Sequence, residues 1–137
     1  MINRLSVTGV WVTDQNEALR FYTEKLGFEI RSDVTYGDYR WISVGPKSQP
    51  DLEFGLLALK PDGLLTEDDV QVLRKLVEAG KVGHVVWKTD DCQKTYENLK
   101  EKGVEFLQPP TERPYGTIDA VFKDNSGNIM VLSQDKQ

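Results

Sequence analysis

The only histidine of the chain, His84, stands in the run Gly83-His84-Val85-Val86-Trp87-Lys88-Thr89-Asp90-Asp91. A neutral imidazole there could be a ligand to a divalent metal, because that group binds most biological divalent cations. The competing reading is a structural histidine, hydrogen-bonded in a cavity wall. The one cysteine, Cys92, opens the helix that follows, where a helix N-terminus can lower a thiol pKa. With a single histidine a strand away, a Cys-His nucleophile is disfavoured and a small buried residue is expected. Glu67, Asp68 and Asp69 form the longest acidic cluster, which a solvated helix start explains. The glycines have no phosphate-cradling spacing, so nucleotide binding has no support.

The element that must position the histidine is a strand over 84–89. His84, Val86 and Lys88 share one face, while Val85, Trp87 and Thr89 share the other. Asp90 and Asp91 stop the strand, and Asp91 caps the next helix. An earlier run has the same order. Strand 5–13 puts Val7, Gly9 and Trp11 on one face and Thr8, Val10 and Val12 on the other. Asp14 is then an N-cap, with Glu17 completing a capping-box-like pattern, and the helix reaches Leu26 before Gly27 stops it. Strands follow over 28–35, 39–44 and 51–59. A helix opens at Thr66 and ends at Gly80, with Val70, Leu73, Leu76 and Val77 as its apolar stripe.

After that connecting helix the pattern recurs: strand 84–89, a helix closing at Gly103, a short strand 104–107, a proline-rich loop 108–115, then strands 117–123 and 128–133. Aligning Asp14 with Asp91 sets a repeat of about 77 positions. The expected fold is therefore α+β. Residues 1–60 form one βαβββ module, 61–81 a connecting helix and 82–137 a second module, all within one structural domain.

Composition narrows the function classes. The 137 residues carry 17 Lys and Arg against 22 Asp and Glu, a net charge of -5, which disfavours nucleic acid as a partner. A single cysteine excludes an internal disulfide and a multi-cysteine zinc site, and suits a reducing compartment. No apolar run approaches the roughly 18 to 20 residues of a membrane span, and the first residues lack the apolar core of a secretion signal. A cytoplasmic location, with no membrane and no nucleic acid, is the expectation.

Two runs carry a family signature. Val10-Trp11-Val12-Thr13-Asp14, followed by Ala18-Leu19-Arg20-Phe21-Tyr22-Thr23-Glu24-Lys25-Leu26-Gly27-Phe28, resembles the first module of the vicinal oxygen chelate superfamily. That superfamily contains glyoxalases, bleomycin-resistance proteins, fosfomycin-resistance enzymes and extradiol dioxygenases. Phe122-Lys123-Asp124-Asn125-Ser126-Gly127-Asn128 resembles the close of the second module, with Asn125 where proline is usual. The resemblance implies two modules forming a half-open mixed β-barrel around a cavity, with the helices outside. Metal-dependent members take ligands at four places, which fall here on Val7, Glu53, His84 and Val131.

Valine cannot bind a cation, so two of the four places are lost. The expectation is accordingly no metal; if a divalent metal binds, His84 and Glu53 are its ligands. The same two residues are the catalytic candidates, since a carboxylate within reach of an imidazole makes a general base. Trp11, Tyr39, Arg40, Trp41, His84 and Tyr115 are the expected ligand-binding residues, aromatic walls suiting a planar or amphipathic small molecule and Arg40 an anionic group. The leading function is a bleomycin-resistance-like protein that sequesters a small molecule in an aromatic cavity, acting as a homodimer without a cofactor. The alternatives are a divalent-metal-dependent glyoxalase- or dioxygenase-like enzyme using His84 and Glu53, and a metal-free lyase or isomerase using the Glu53–His84 pair.

Overall fold

The computed structural model describes residues 1–137. Strand β1 (Val7–Val12) buries Val10 and Val12 and leaves Val7 and Trp11 on its other face. Asp14 caps helix α1 (Gln15–Arg20), its Oδ1 accepting the Glu17 N–H at 2.9 Å. The helix continues into one π turn (Phe21–Lys25), and both Phe21 and Tyr22 are buried there. The wider turn changes the angular spacing of side chains, which lets two consecutive aromatic rings enter the core. Strands β2 (Glu29–Tyr36), β3 (Tyr39–Gly45) and β4 (Glu53–Ala58) complete the module. The sheet order is β1-β4-β3-β2, with β1 parallel to β4 and the other pairs antiparallel.

Helix α2 (Glu67–Glu78) links the modules, burying Val70 and Val77 with Leu59 against Trp11 and Leu73. Its start holds a full capping box between Thr66 and Asp69. The box expected at Asp14 and Glu17 is only half made, because Glu17 pairs instead with Arg20. The second module then repeats the first: β5 (Val85–Lys88), α3 (Cys92–Glu101) capped by Asp91, β6 (Phe106–Glu112), β7 (Thr117–Lys123) and β8 (Ile129–Asp135). Its order β5-β8-β7-β6 has the same parallel and antiparallel pairs. The fold is thus α+β with two βαβββ modules, each a four-stranded mixed sheet, and no strand pairing joins the two sheets.

Two expected boundaries are corrected. The proline-rich stretch 108–115 is largely strand, since β6 runs through Pro109 and Pro110. β6 lies at the sheet edge, where a missing N–H costs no ladder bond, and its register shifts twice, around Gln108. His84 lies just before β5, which starts at Val85, after Gly83 turns the chain at φ +86°.

One core of 16 buried residues draws on both modules. At the junction Trp87 packs edge-on to Phe28 and to Phe54, each 4.9 Å away between ring centroids. The Tyr22 hydroxyl donates to Asp124 Oδ2 at 2.7 Å, and Asp124 Oδ1 accepts the backbone N–H groups of Ser126, Gly127 and Asn128. Asn128 Nδ2 donates to the Trp11 carbonyl at 2.8 Å, and Ser126 Oγ accepts the Thr13 N–H at 3.0 Å. The Asp124–Asn128 turn therefore fastens the second module to the end of β1. The sheet faces turned away from this core are open, and Val7, Val34, Tyr39 and Val86 stand exposed.

Candidate functional site

Register builds the open face of the first sheet. Val7 pairs with Glu53, Gly9 with Gly55 and Trp11 with Leu57, and partners in a ladder point to the same side. The glycine pair leaves a bare strip. A Cβ on Gly55 would lie 2.8 Å from Trp41 Cη2, and one on Gly9 would lie 2.2 Å from the Gly55 carbonyl oxygen. Trp41 can lie across β4 only because no side chain rises there. Leu57 touches the same spot and also borders a pocket of about 220 Å³ lined with Trp11, Tyr39, Arg40, Lys60 and Leu64.

Glu53 is the carboxylate of this face. Its Oε1 accepts hydrogen bonds from Ser43 Oγ of the adjacent β3 at 2.6 Å and from Ser32 Oγ of β2, one strand further, at 3.2 Å. The Ser43 bond, then the Ser32 bond, the nearby Trp41 indole and the charge of Arg31, hold its pKa below the usual carboxylate value against the opposing effect of burial. Glu53 is ionised at neutral pH, and it is partly exposed.

The ladder also decides what surrounds that charge. Glu53 faces Val7, while Val131 faces Val86, two residues beyond His84. No three His, Cys, Asp or Glu side chains gather anywhere in a group that could hold an ion. The donor set does not fit the metal centre that the resemblance implies, because two of its four places, Val7 and Val131, are hydrocarbon.

His84 is exposed and borders a separate groove of about 650 Å³, running between the ends of β1 and β4 and strand β5, beside Leu5, Thr8, Gln49, Val86 and Lys88. Glu53 does not line that groove, and no hydrogen bond joins the two residues. The hydrogen bonds that Glu53 makes in this structure come from serines.

The family model described as Glyoxalase/Bleomycin resistance protein/Dioxygenase superfamily matches residues 4–132. The chain belongs to that superfamily. Within it, YurT of Bacillus subtilis (strain 168) is 40% identical over 132 residues, covering 96% of this chain and 98% of that one. Among solved structures, UcmS2 superposes with a TM-score of 0.92 at 41% identity, covering 98% of this chain and 100% of the other. TnmS3, an antibiotic binding protein from Streptomyces sp. CB03234, superposes with a TM-score of 0.78 at 27% identity, with 98% of each chain covered.

The remaining expected residues of this superfamily member divide between the two sheets. Trp11, Tyr39 and Arg40 meet at one pocket, with Trp41 beside it. Arg40 is heavily engaged: Nε and Nη2 clasp Asp33 at 3.0 and 2.9 Å, and Nη1 reaches Asn16 at 2.6 Å. That clasp pulls the Asp33 pKa down and pushes the Arg40 pKa up. Tyr115 sits in the turn between β6 and β7 of the second sheet, and its hydroxyl donates to buried Asp119 at 3.1 Å. Cys92 is fully buried, and burial pushes its thiol pKa up, so it is an unreactive core residue.

Sequence reasoning passed over Ser32, Ser43, Gly9, Gly55 and Leu57. The glycines did carry a signal, since glycine inside a strand pattern marks a close approach. The serines carried none, because only the β2–β3–β4 register brings them to one carboxylate.

Proposed function

We propose that this protein binds and sequesters a small aromatic molecule on the open face of its first sheet, without bond chemistry. The observation that carries this reading is the indole floor, with Trp41 laid over the bare Gly55 and Trp11 one ladder step further on. Flat aromatic surface with few polar groups suits a planar ligand held by stacking and burial. The donor set on the same face argues against a metal-assisted reaction, and TnmS3, which has the same fold, is an antibiotic binding protein. A cytoplasmic homodimer, in which a second copy covers the exposed valines and tyrosines, fits the same reading.

A thermal-shift and calorimetric screen of planar aromatic antibiotics, 2-oxoaldehyde thiol adducts and catechols tests it, on protein purified without a polyhistidine tag. One-to-one binding of an aromatic compound, recovered unchanged and insensitive to chelator, is the expected result. Stoichiometric metal that is lost in His84→Ala would overturn the reading in favour of a metal-dependent enzyme. Turnover abolished by Glu53→Gln with binding retained would favour the metal-free lyase or isomerase.

A further inference from the structure

Both serine bonds to Glu53 land on one oxygen. Oε1 accepts Ser43 and Ser32, and the Trp41 indole lies beside the carboxylate, but no side chain or backbone N–H of the chain makes a well-aligned hydrogen bond to Oε2. Arg31, whose charge the carboxylate feels, does not pair with it. Its guanidinium is spent on the carbonyls of Leu52, Pro46 and Gln49 and on Glu29. The flanking ladder position is Val7, 43% exposed and apolar. A fixed anion with one satisfied and one free oxygen thus stands beside the indole floor.

We propose that Glu53 Oε2 is the specificity-determining acceptor of this site, selecting aromatic ligands that carry an ammonium or another N–H donor and rejecting aromatic anions. The proposal rests on the sequestration reading and adds the ligand's chemistry to it. A carboxylate whose other oxygen is pinned by two hydroxyls keeps its orientation, so a ligand donor meets it with little ordering cost. A hydrogen bond to a charged group strengthens beside apolar surface, and an anion there gains nothing to offset the repulsion.

Three probes of one ring system test this by calorimetry at neutral pH: 1-naphthylmethylammonium, 1-(methoxymethyl)naphthalene and 1-naphthylacetate. The ammonium should bind about tenfold or more tighter than the ether, with the carboxylate weakest. In Glu53→Gln the amide oxygen can keep both serine bonds while an NH2 replaces the free acceptor. The ammonium advantage should then shrink to about threefold or less, and naphthylacetate should gain affinity. A cooperative thermal unfolding transition in Glu53→Gln, close to that of the wild type, guards against a folding defect in the variant. Equal binding of all three by the wild type, or an unchanged ammonium advantage in Glu53→Gln, would overturn the proposal and leave sequestration standing. If none of the three binds, both fall.

Discussion

Tyr22 and Asp124 lie 102 positions apart in the chain and meet at 2.7 Å in its interior. Each belongs to a different module, and Asp124 organises a turn whose Asn128 reaches back to the Trp11 carbonyl. One buried hydrogen bond therefore couples the π turn after α1 to the hairpin between β7 and β8, and through it to the end of the strand bearing the site.

Tyr22→Phe should lower unfolding stability by about 1–2 kcal/mol, the usual cost of a lost buried hydrogen bond whose acceptor keeps other donors. Burial first, then the Asp124 charge and the bond to it, raise the Tyr22 pKa well above 10.0. The contribution of the neutral phenol is whole below that value and is lost as pH rises through the folded pKa. Denaturant titrations at rising alkaline pH should show wild type losing more stability than Tyr22→Phe.

Gly55→Ala should displace Trp41. Its backbone is one that alanine adopts, but the new Cβ would fall 2.8 Å from the indole. The expected cost is about 1–3 kcal/mol of stability, typical of a forced repacking. Indole fluorescence should shift, and affinity for an aromatic ligand should fall, while Gly63→Ala, where a Cβ meets nothing within 4 Å, should do neither.

The pH dependence of binding should report Glu53. Its hydrogen bond from Ser43, foremost, holds the pKa below the ordinary 4.5. What the ionised form contributes is present above the unfolded value and is lost as pH falls through the folded one. Affinity for 1-naphthylmethylammonium should therefore stay level through mildly acidic pH and decline only below 4.5. In Ser43→Ala the decline should begin at higher pH.

His84→Ala should change stability by no more than about 0.5 kcal/mol, as for other exposed positions without a structural partner. Added zinc, nickel or manganese should give no stoichiometric binding to either protein by mass spectrometry under native conditions, because the imidazole belongs to no group of three His, Cys, Asp or Glu side chains that could hold an ion.

Repetition alone made the architecture legible. Two strand-Asp-helix-Gly runs mark two caps and two glycine stops, and each is a local signal that a dozen residues determine. The superfamily's aromatic run and the turn at Asp124 were legible for the same reason, each being contiguous. The extended β6 was not, because proline reads as a breaker until the strand is known to be an edge.

The sequence by itself determined the modules and put valine, Val7 and Val131, at two places where the resemblance implies metal ligands, since identity at a position needs no geometry. Only the tertiary structure decided what became of the residues left behind. Ladder register sets Ser32 and Ser43 on Glu53 and turns His84 into another groove, while Trp41 settles over Gly55 of the adjacent strand β4. Contacts of that kind depend on which strands pair and in what register, and pairing is fixed by burying one face of each sheet against the shared core.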